Sequence, residues 1–159
     1  MTTRPSPAVQ AFWDAYVSAT GIEATFEPWW FGNDTDVAEQ TQLGRLVSEG
    51  PKRATTSLLA DYERDGEALP VVGDHGVVVD GEGVPLCIAR TTRVDIAPFG
   101  EVSERFAWVE GEGDRSLEYW REAHRRFFAS EGTEIDDHSL VVLQRFDVVW
   151  PPPEGPDAR

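Results

Sequence analysis

Short strand-like segments bounded by glycine and proline are the feature that most constrains the fold of this chain. The apolar segments Gly76–Asp80 and Leu86–Ala97 flank a Gly-Glu-Gly-Val-Pro turn, which predicts a β-hairpin. Thr55–Ala60 and Leu140–Trp150 are two further predicted strands, and Val71–Asp74 is interpreted as a turn that enters a strand. Because strands this short hide their edges best when the sheet closes, the pattern predicts a small antiparallel barrel.

Four segments with helical periodicity accompany these strands. The spacing of their apolar residues predicts helices over Pro7–Ala19, Asp36–Ser48, Val102–Val109 and Arg115–Ala129. Strands with helices at the ends and in a late insertion together predict an α+β fold.

Composition limits the classes of protein to which this chain can belong. Of its 159 residues, 40% are hydrophobic, which suffices for the core of one domain. Its 14 Lys and Arg stand against 29 Asp and Glu, and a chain with a formal net charge of −15 repels polyanions. Long RNA or DNA is therefore disfavoured, whereas a small ligand or a short RNA in a locally basic cleft is compatible. We expect no membrane span and no secretory signal, and the single cysteine, Cys87, agrees with a reducing, cytoplasmic location.

Arg90 interrupts the alternation of the predicted strand Leu86–Ala97. The inward-facing apolar set consists of Leu86, Ile88, Val94 and Ile96, and Arg90 shares its even parity together with Thr92. A guanidinium in that set is costly unless it is paired. Either a bulge shifts the register there, or Arg90 lies in a cleft beside a carboxylate or a ligand.

Two polar clusters carry candidate chemistry. Lys52 and Thr55 stand three residues apart where a Gly-Pro turn enters a strand, and this spacing can place an ammonium and a hydroxyl over one pocket. The segment Glu110–Ser116 interleaves three carboxylates and one arginine with glycines, ahead of a helix. The ordinary alternatives are cations that stabilise a helix C-terminus and an acidic loop that caps a helix.

The order of these motifs along the chain resembles one known family. Gly50–Leu59 resembles the G-x-K-x-x-T signature of the ASCH domain family, which belongs to the PUA-like superfamily of small β-barrels. The resemblance spans about residues 29–150 and continues through Phe31–Asn33, Leu69–Asp74, Cys87–Thr92, Pro98-Phe99, Glu110–Trp120 and Val141–Val149. The expected organisation is an N-terminal segment with an amphipathic helix packed on the domain (1–28), the ASCH domain (29–150) and a proline-rich disordered tail (151–159).

The resemblance also implies a ligand and a set of site residues. The ligands expected in this family are a nucleotide, a modified nucleoside or a short RNA. In amidohydrolase members a Lys and a Thr of the signature act with a Glu, which by matching are Lys52, Thr55 and Glu110, with Glu112 or Asp114 as alternatives for the acid. Further residues expected at the ligand are Arg53, Thr56, Ser57, Arg90, Asp114, Arg115, Ser116, Trp30 and Tyr62.

Three functions follow from the resemblance: hydrolysis of an acylated cytidine, non-catalytic RNA binding in RNA metabolism or translation regulation, and metal-independent ribonuclease activity. As base for a Thr55 nucleophile, Lys52 would need a pKa well below the usual value of about 10.4. Nearby Arg53 and Arg90 would lower that pKa, whereas a close Glu110 would raise it.

An aromatic segment and a histidine each allow a structural as well as a functional interpretation. The rings of Trp29, Trp30 and Phe31 either stack on bases in a cleft or, as we favour, pack a loop onto the core; a third option is that one Trp packs while the other lines the pocket. His124, on an apolar helix stripe, is interpreted as a packed histidine. The spacing of Cys and His predicts no metal site, and no cofactor is expected.

Overall fold

A computed structural model describes residues 5–152 of the chain. The described part contains five helices, α1 (Pro7–Thr20), α2 (Val37–Ser48), α3 (Leu59–Asp65), α4 (Glu104–Glu110) and α5 (Leu117–Ser130). It contains five strands, β1 (Phe26–Trp29), β2 (Ala54–Leu58), β3 (His75–Val79), β4 (Pro85–Pro98) and β5 (Leu140–Trp150), with a 3₁₀ turn at Phe99–Glu101. The predicted α+β composition is confirmed.

The strands form one open sheet in the order β1-β3-β4-β5-β2. β3 pairs antiparallel with β4 and β2 antiparallel with β5, but β1 pairs parallel with β3. Because β1 and β2 remain edges across residues 5–152, the sheet does not close, and the prediction of a closed, wholly antiparallel barrel is wrong. Closure would need hydrogen bonds between these two edge strands, and the described sheet contains none.

The first of two compact units comprises residues 1–49, 73–90 and 147–159, of which 5–49, 73–90 and 147–152 are described. Its core forms where the apolar stripe of α1 packs on β3 and β4, with Val9, Trp13, Tyr16, Val77, Val79 and Ile88 buried. Ser6 caps α1 by accepting from the amide of Val9, and Gly21 ends it in the left-handed conformation. Residues 1–4 and most of the predicted tail, residues 153–159, lie outside the described part.

The second unit comprises residues 50–72 and 91–146 and has its own core. The face of β2 and β5 is covered by α4 and α5, and the buried residues include Ala54, Leu58, Phe106, Trp120, Phe128 and Val141. Trp120 stacks on Phe99 with ring centroids 5.2 Å apart. No helix in residues 5–152 combines the length and apolar composition that a membrane span requires.

Several element boundaries differ from those predicted, for local physical reasons. The predicted strand Thr55–Ala60 ends at Leu58 because the chain turns into α3, a seven-residue helix that its sequence pattern does not reveal. Val71–Asp74 forms the predicted turn and leads into β3, which begins at His75, one residue before the predicted start. The last helix starts after its cap Ser116 rather than after Asp114.

Arg90 is exposed, so its guanidinium does not point into the sheet as the alternation predicted, and no bulge lies at its position. β3 and β4 do contain an irregularity, but it lies between Val78 and Val79, whereas Arg90 pairs regularly with His75. In this half of β4 residues of both parities are buried, namely Cys87, Ile88, Ala89 and Thr91. The even-numbered set is therefore not the inward face throughout, and Ile96 is also exposed.

Candidate functional site

Lys52 is buried in the second unit, in the connection between α2 and β2. Its side chain is 1% exposed, and Nζ donates to the Ala54 carbonyl at 2.8 Å and to Glu112 Oε2 at 2.7 Å. Glu110 Oε2 lies 3.4 Å from the same nitrogen. Burial by itself would lower the pKa of Lys52, but the carboxylates of Glu112 and Glu110 outweigh it and raise that pKa above its usual value.

Glu110 is the last residue of α4 and forms the centre of the site. Its Oε1 accepts from the Thr56 hydroxyl at 2.7 Å and the Trp120 indole N–H at 2.8 Å. Its Oε2 accepts from His124 Nε2 at 3.0 Å as well as from Lys52. Burial opposes the charge, yet the nearby His124 and Lys52 cations hold the pKa of Glu110 far below its usual value, so the carboxylate stays ionised.

His124 is oriented between two acceptors. Its Nδ1 lies 2.7 Å from the Trp120 carbonyl oxygen, and its Nε2 faces the Glu110 carboxylate. Both ring nitrogens donate only when the imidazole is doubly protonated. Burial lowers the pKa of His124, but Glu110 more than compensates and raises it, which agrees with an imidazolium at this position.

Glu112 is the one member of the cluster that reaches the surface to a substantial extent. Its side chain is 23% exposed, compared with 2% for Glu110 and 9% for His124. Burial and the charge of Glu110 raise the pKa of Glu112, although Lys52 opposes them. The charged side chains Lys52, Glu110, Glu112 and His124 are called the Lys52 network below.

The strand register separates the two candidate threonines. Thr56 faces Leu143 across the β2–β5 ladder and contacts Glu110, whereas the preceding Thr55 faces Gln144. Because successive side chains on a strand point to opposite faces, the hydroxyl of Thr55 points away from the face that carries Glu110. The structure thus brings Lys52 and Glu110 together with Thr56 and not with Thr55.

Other predicted site residues in this unit have local partners. Arg53 donates to the carbonyls of Gly50 and Lys52, and Ser57 and Tyr62 share a hydrogen bond at 2.9 Å. Burial raises the pKa of Tyr62, which keeps its hydroxyl protonated.

The loop before α5 holds three more predicted site residues. Asp114 accepts from the amide of Ser116, and the Ser116 hydroxyl caps α5 by accepting from Tyr119. Arg115 lies over the ring of Trp108 at 3.6 Å. The loop therefore combines a helix cap with a half-buried cation.

Arg90 and Trp30 belong to the first unit. Arg90 is on β4 opposite His75. Trp30 is 50% exposed, and its indole N–H donates to Asp34 at 2.9 Å. Core packing is therefore wrong for Trp30 but confirmed for its neighbour Phe31, which is buried; base stacking by Trp30 stays a prediction.

Trp120, His124 and Trp108 are parts of the site that the sequence did not indicate as such. The only signal for His124 was a polar residue on an otherwise apolar stripe, one turn after Trp120. In the structure both are buried, and their rings stack with centroids 4.3 Å apart. Among residues 5–152 no group of three Cys, His, Asp or Glu is arranged to hold a metal ion.

Comparison with known proteins supports this architecture. A family model described as the ASCH domain matches residues 27–150. The crystal structure of an ASCH domain from Lactobacillus crispatus JV V101 is 35% identical, with a TM-score of 0.81, and the match covers 91% of this chain and 96% of that one. Protein EF3133 from Enterococcus faecalis V583 is 37% identical, with a TM-score of 0.79 and coverage of 89% and 88%. No curated protein matches the chain.

Proposed function

Because the chain belongs to the ASCH domain family, whose fold is PUA-like, we propose that it binds a nucleotide or modified nucleoside next to the Lys52 network without hydrolysing it. The observation that carries this proposal is the state of Lys52. Its ammonium is buried and held by the Ala54 carbonyl and two carboxylates.

This environment favours recognition over catalysis. A lysine whose pKa is raised stays protonated at neutral pH, so it has no lone pair with which to accept a proton from a threonine. Glu110 is equally unsuited to be a base, because its pKa lies far below neutrality. The hydroxyl beside Glu110 belongs to Thr56, whereas the resemblance assigns the nucleophile to Thr55.

Glu112 is the group that we assign to ligand recognition. As the most exposed member of the network, it can accept hydrogen bonds from the amino or imino edge of a nucleobase. The buried cations behind it fix its carboxylate without themselves reaching a ligand. The net charge of −15 favours a single nucleotide or nucleoside over a long polyanion.

Calorimetric titration with cytidine and N4-acetylcytidine tests this assignment. We expect saturable binding to the wild type and about tenfold or more weaker binding to Glu112→Gln, since a hydrogen bond to a charged group contributes about 1.5–3 kcal/mol. Glu122→Gln is the matched control, because Glu122 is an exposed acid on α5 of the same unit.

Two results would contradict the proposal. Equal affinities of Glu112→Gln and Glu122→Gln would remove Glu112 from the site. Acetate release from N4-acetylcytidine that disappears in Thr55→Ala would instead support the amidohydrolase activity that the resemblance implies.

A further inference from the structure

Arg115 is an arginine fixed in place by the loop between α4 and α5. Its amide donates to the Glu112 carbonyl at 3.0 Å, and its backbone adopts φ 66°, in the left-handed region. Its guanidinium donates through Nε and Nη2 to the Trp108 carbonyl at 2.9 and 2.8 Å. The guanidinium carbon lies 3.6 Å from the centroid of the Trp108 ring, so one face of the cation is stacked on the indole.

The charge of Arg115 is not neutralised by a carboxylate. In the part of the chain that the structure describes, Arg115 forms no ion pair, although Glu112 and Asp114 are close in sequence. Asp114 is instead directed to the amide of Ser116, and Glu112 to Lys52. Hydrogen bonds and stacking thus hold a cation beside the proposed ligand site of a strongly acidic chain.

A preorganised guanidinium of this kind suits a phosphate. Planar N–H donors match phosphate oxygens, and a side chain that is already immobilised loses less entropy on binding. The Lys52 ammonium cannot serve this purpose, because it is buried among carboxylates. Arg115 is joined to Glu112 through its own amide, so a phosphate on Arg115 and a base edge on Glu112 would be read by one loop.

We propose that Arg115 binds the phosphate of a nucleoside monophosphate and so selects the nucleotide over the nucleoside, with Trp108 as the residue that positions it. This inference rests on the proposed function, since it takes the base to be recognised through Glu112. Trp108 is 51% exposed and holds Arg115 through its ring and its carbonyl oxygen.

The test compares the dissociation constants of cytidine and cytidine 5′-monophosphate for the full chain and three variants. We expect the wild type to prefer the monophosphate by about tenfold or more, the scale of one charge-assisted hydrogen bond. Arg115→Gln should reduce this preference to within about twofold. Arg126→Gln removes the same charge from an exposed position on α5 and should keep the preference.

The variant Trp108→Leu tests the orientation of the Arg115 guanidinium separately from its charge. It retains Arg115 but removes the ring that the guanidinium stacks on, so the preference should fall between those of the wild type and Arg115→Gln. The preference of the wild type should also shrink between 50 and 500 mM salt, about as expected for one phosphate contact, while cytidine binding changes little.

Failure of the Arg115 proposal and failure of the proposed function give different binding results. Binding of cytidine with no preference for the monophosphate overturns the role of Arg115 and leaves the proposed function intact. A preference that survives Arg115→Gln, or that Arg126→Gln removes equally, also overturns it. If neither cytidine nor its monophosphate binds the wild type, both the proposed function and the role of Arg115 are wrong.

Discussion

Replacing Glu110 with Gln perturbs the Lys52 network at its centre while preserving the shape of the side chain. The carboxylate accepts from Thr56 and Trp120 at 2.7 and 2.8 Å and from His124 and Lys52 at 3.0 and 3.4 Å. The amide of the new Gln must point its N–H groups at one of these two pairs of donors, to which it cannot then bond. It also removes the negative charge that the buried His124 and Lys52 share. Breaking a buried ion pair in this way costs about 3–5 kcal/mol, and we expect the free energy of unfolding to fall by this amount.

Urea unfolding followed by circular dichroism measures this loss directly. For a domain of this size, the same change lowers the melting temperature by roughly 6–20 °C. The exposed control Glu122→Gln should change the free energy of unfolding by no more than about 0.5 kcal/mol.

The protonation state of His124 provides a second, independent readout. In the wild type burial lowers the pKa of His124 and Glu110 more than offsets it; in Glu110→Gln only Glu112 and the Trp120 carbonyl still oppose burial, so that pKa should fall. Titration of the imidazole protons by NMR follows this change. A stability loss below about 1 kcal/mol, or a His124 pKa unaffected by the substitution, would refute the view that the network depends on the charge of Glu110.

Three further predictions concern the same region. Thr56→Ala should lower the free energy of unfolding by about 1–3 kcal/mol, because it removes a hydrogen bond to a buried charge, and Thr55→Ala by no more than about 0.5 kcal/mol; equal losses in chemical denaturation would argue against the observed register. Since the folded-state pKa of His124 is raised, its stabilising contribution is complete below the unfolded value of 6.5 and is lost as pH rises through the higher folded value. Unfolding at pH 6 and pH 9 should therefore show a larger loss for the wild type than for His124→Gln, and parallel losses would contradict the assignment. Gly111→Ala should cost at least about 1 kcal/mol, because φ is 75° and the new Cβ would lie 2.8 Å from the backbone of Lys52; an unchanged melting temperature would show that the loop relaxes freely.

Hydrophobic periodicity identified the longer elements because it reports directly which face of a segment is buried. The stripes of α1, α2 and α5 and the strands β4 and β5 were predictable for this reason, to within a few residues. β1 and α3 were not, since four and seven residues are too few to display a period. The parallel pairing of β1 with β3 connects segments far apart in the chain, so no local pattern predicts it.

The candidate site, like the fold, was predictable from the sequence only in part. The resemblance indicated Lys52 and Glu110, and the structure places their side chains in contact although they are 58 residues apart in sequence. Which threonine accompanies them depended on the β2–β5 register, because a shift of one residue turns a side chain to the opposite face. The family motif alone could not resolve this, since Thr55 and Thr56 are adjacent.

The sequence by itself determined the family, the α+β composition and the segment that carries Lys52, because motifs and periodicities are local properties of the chain. Only the tertiary structure decided that the sheet stays open, that Thr56 rather than Thr55 meets Glu110, and that Lys52 remains protonated. A pKa depends on the burial of a group and on the charges within a few ångströms of it. Those distances are set by packing between α4, α5 and β2, which no local pattern in the sequence specifies.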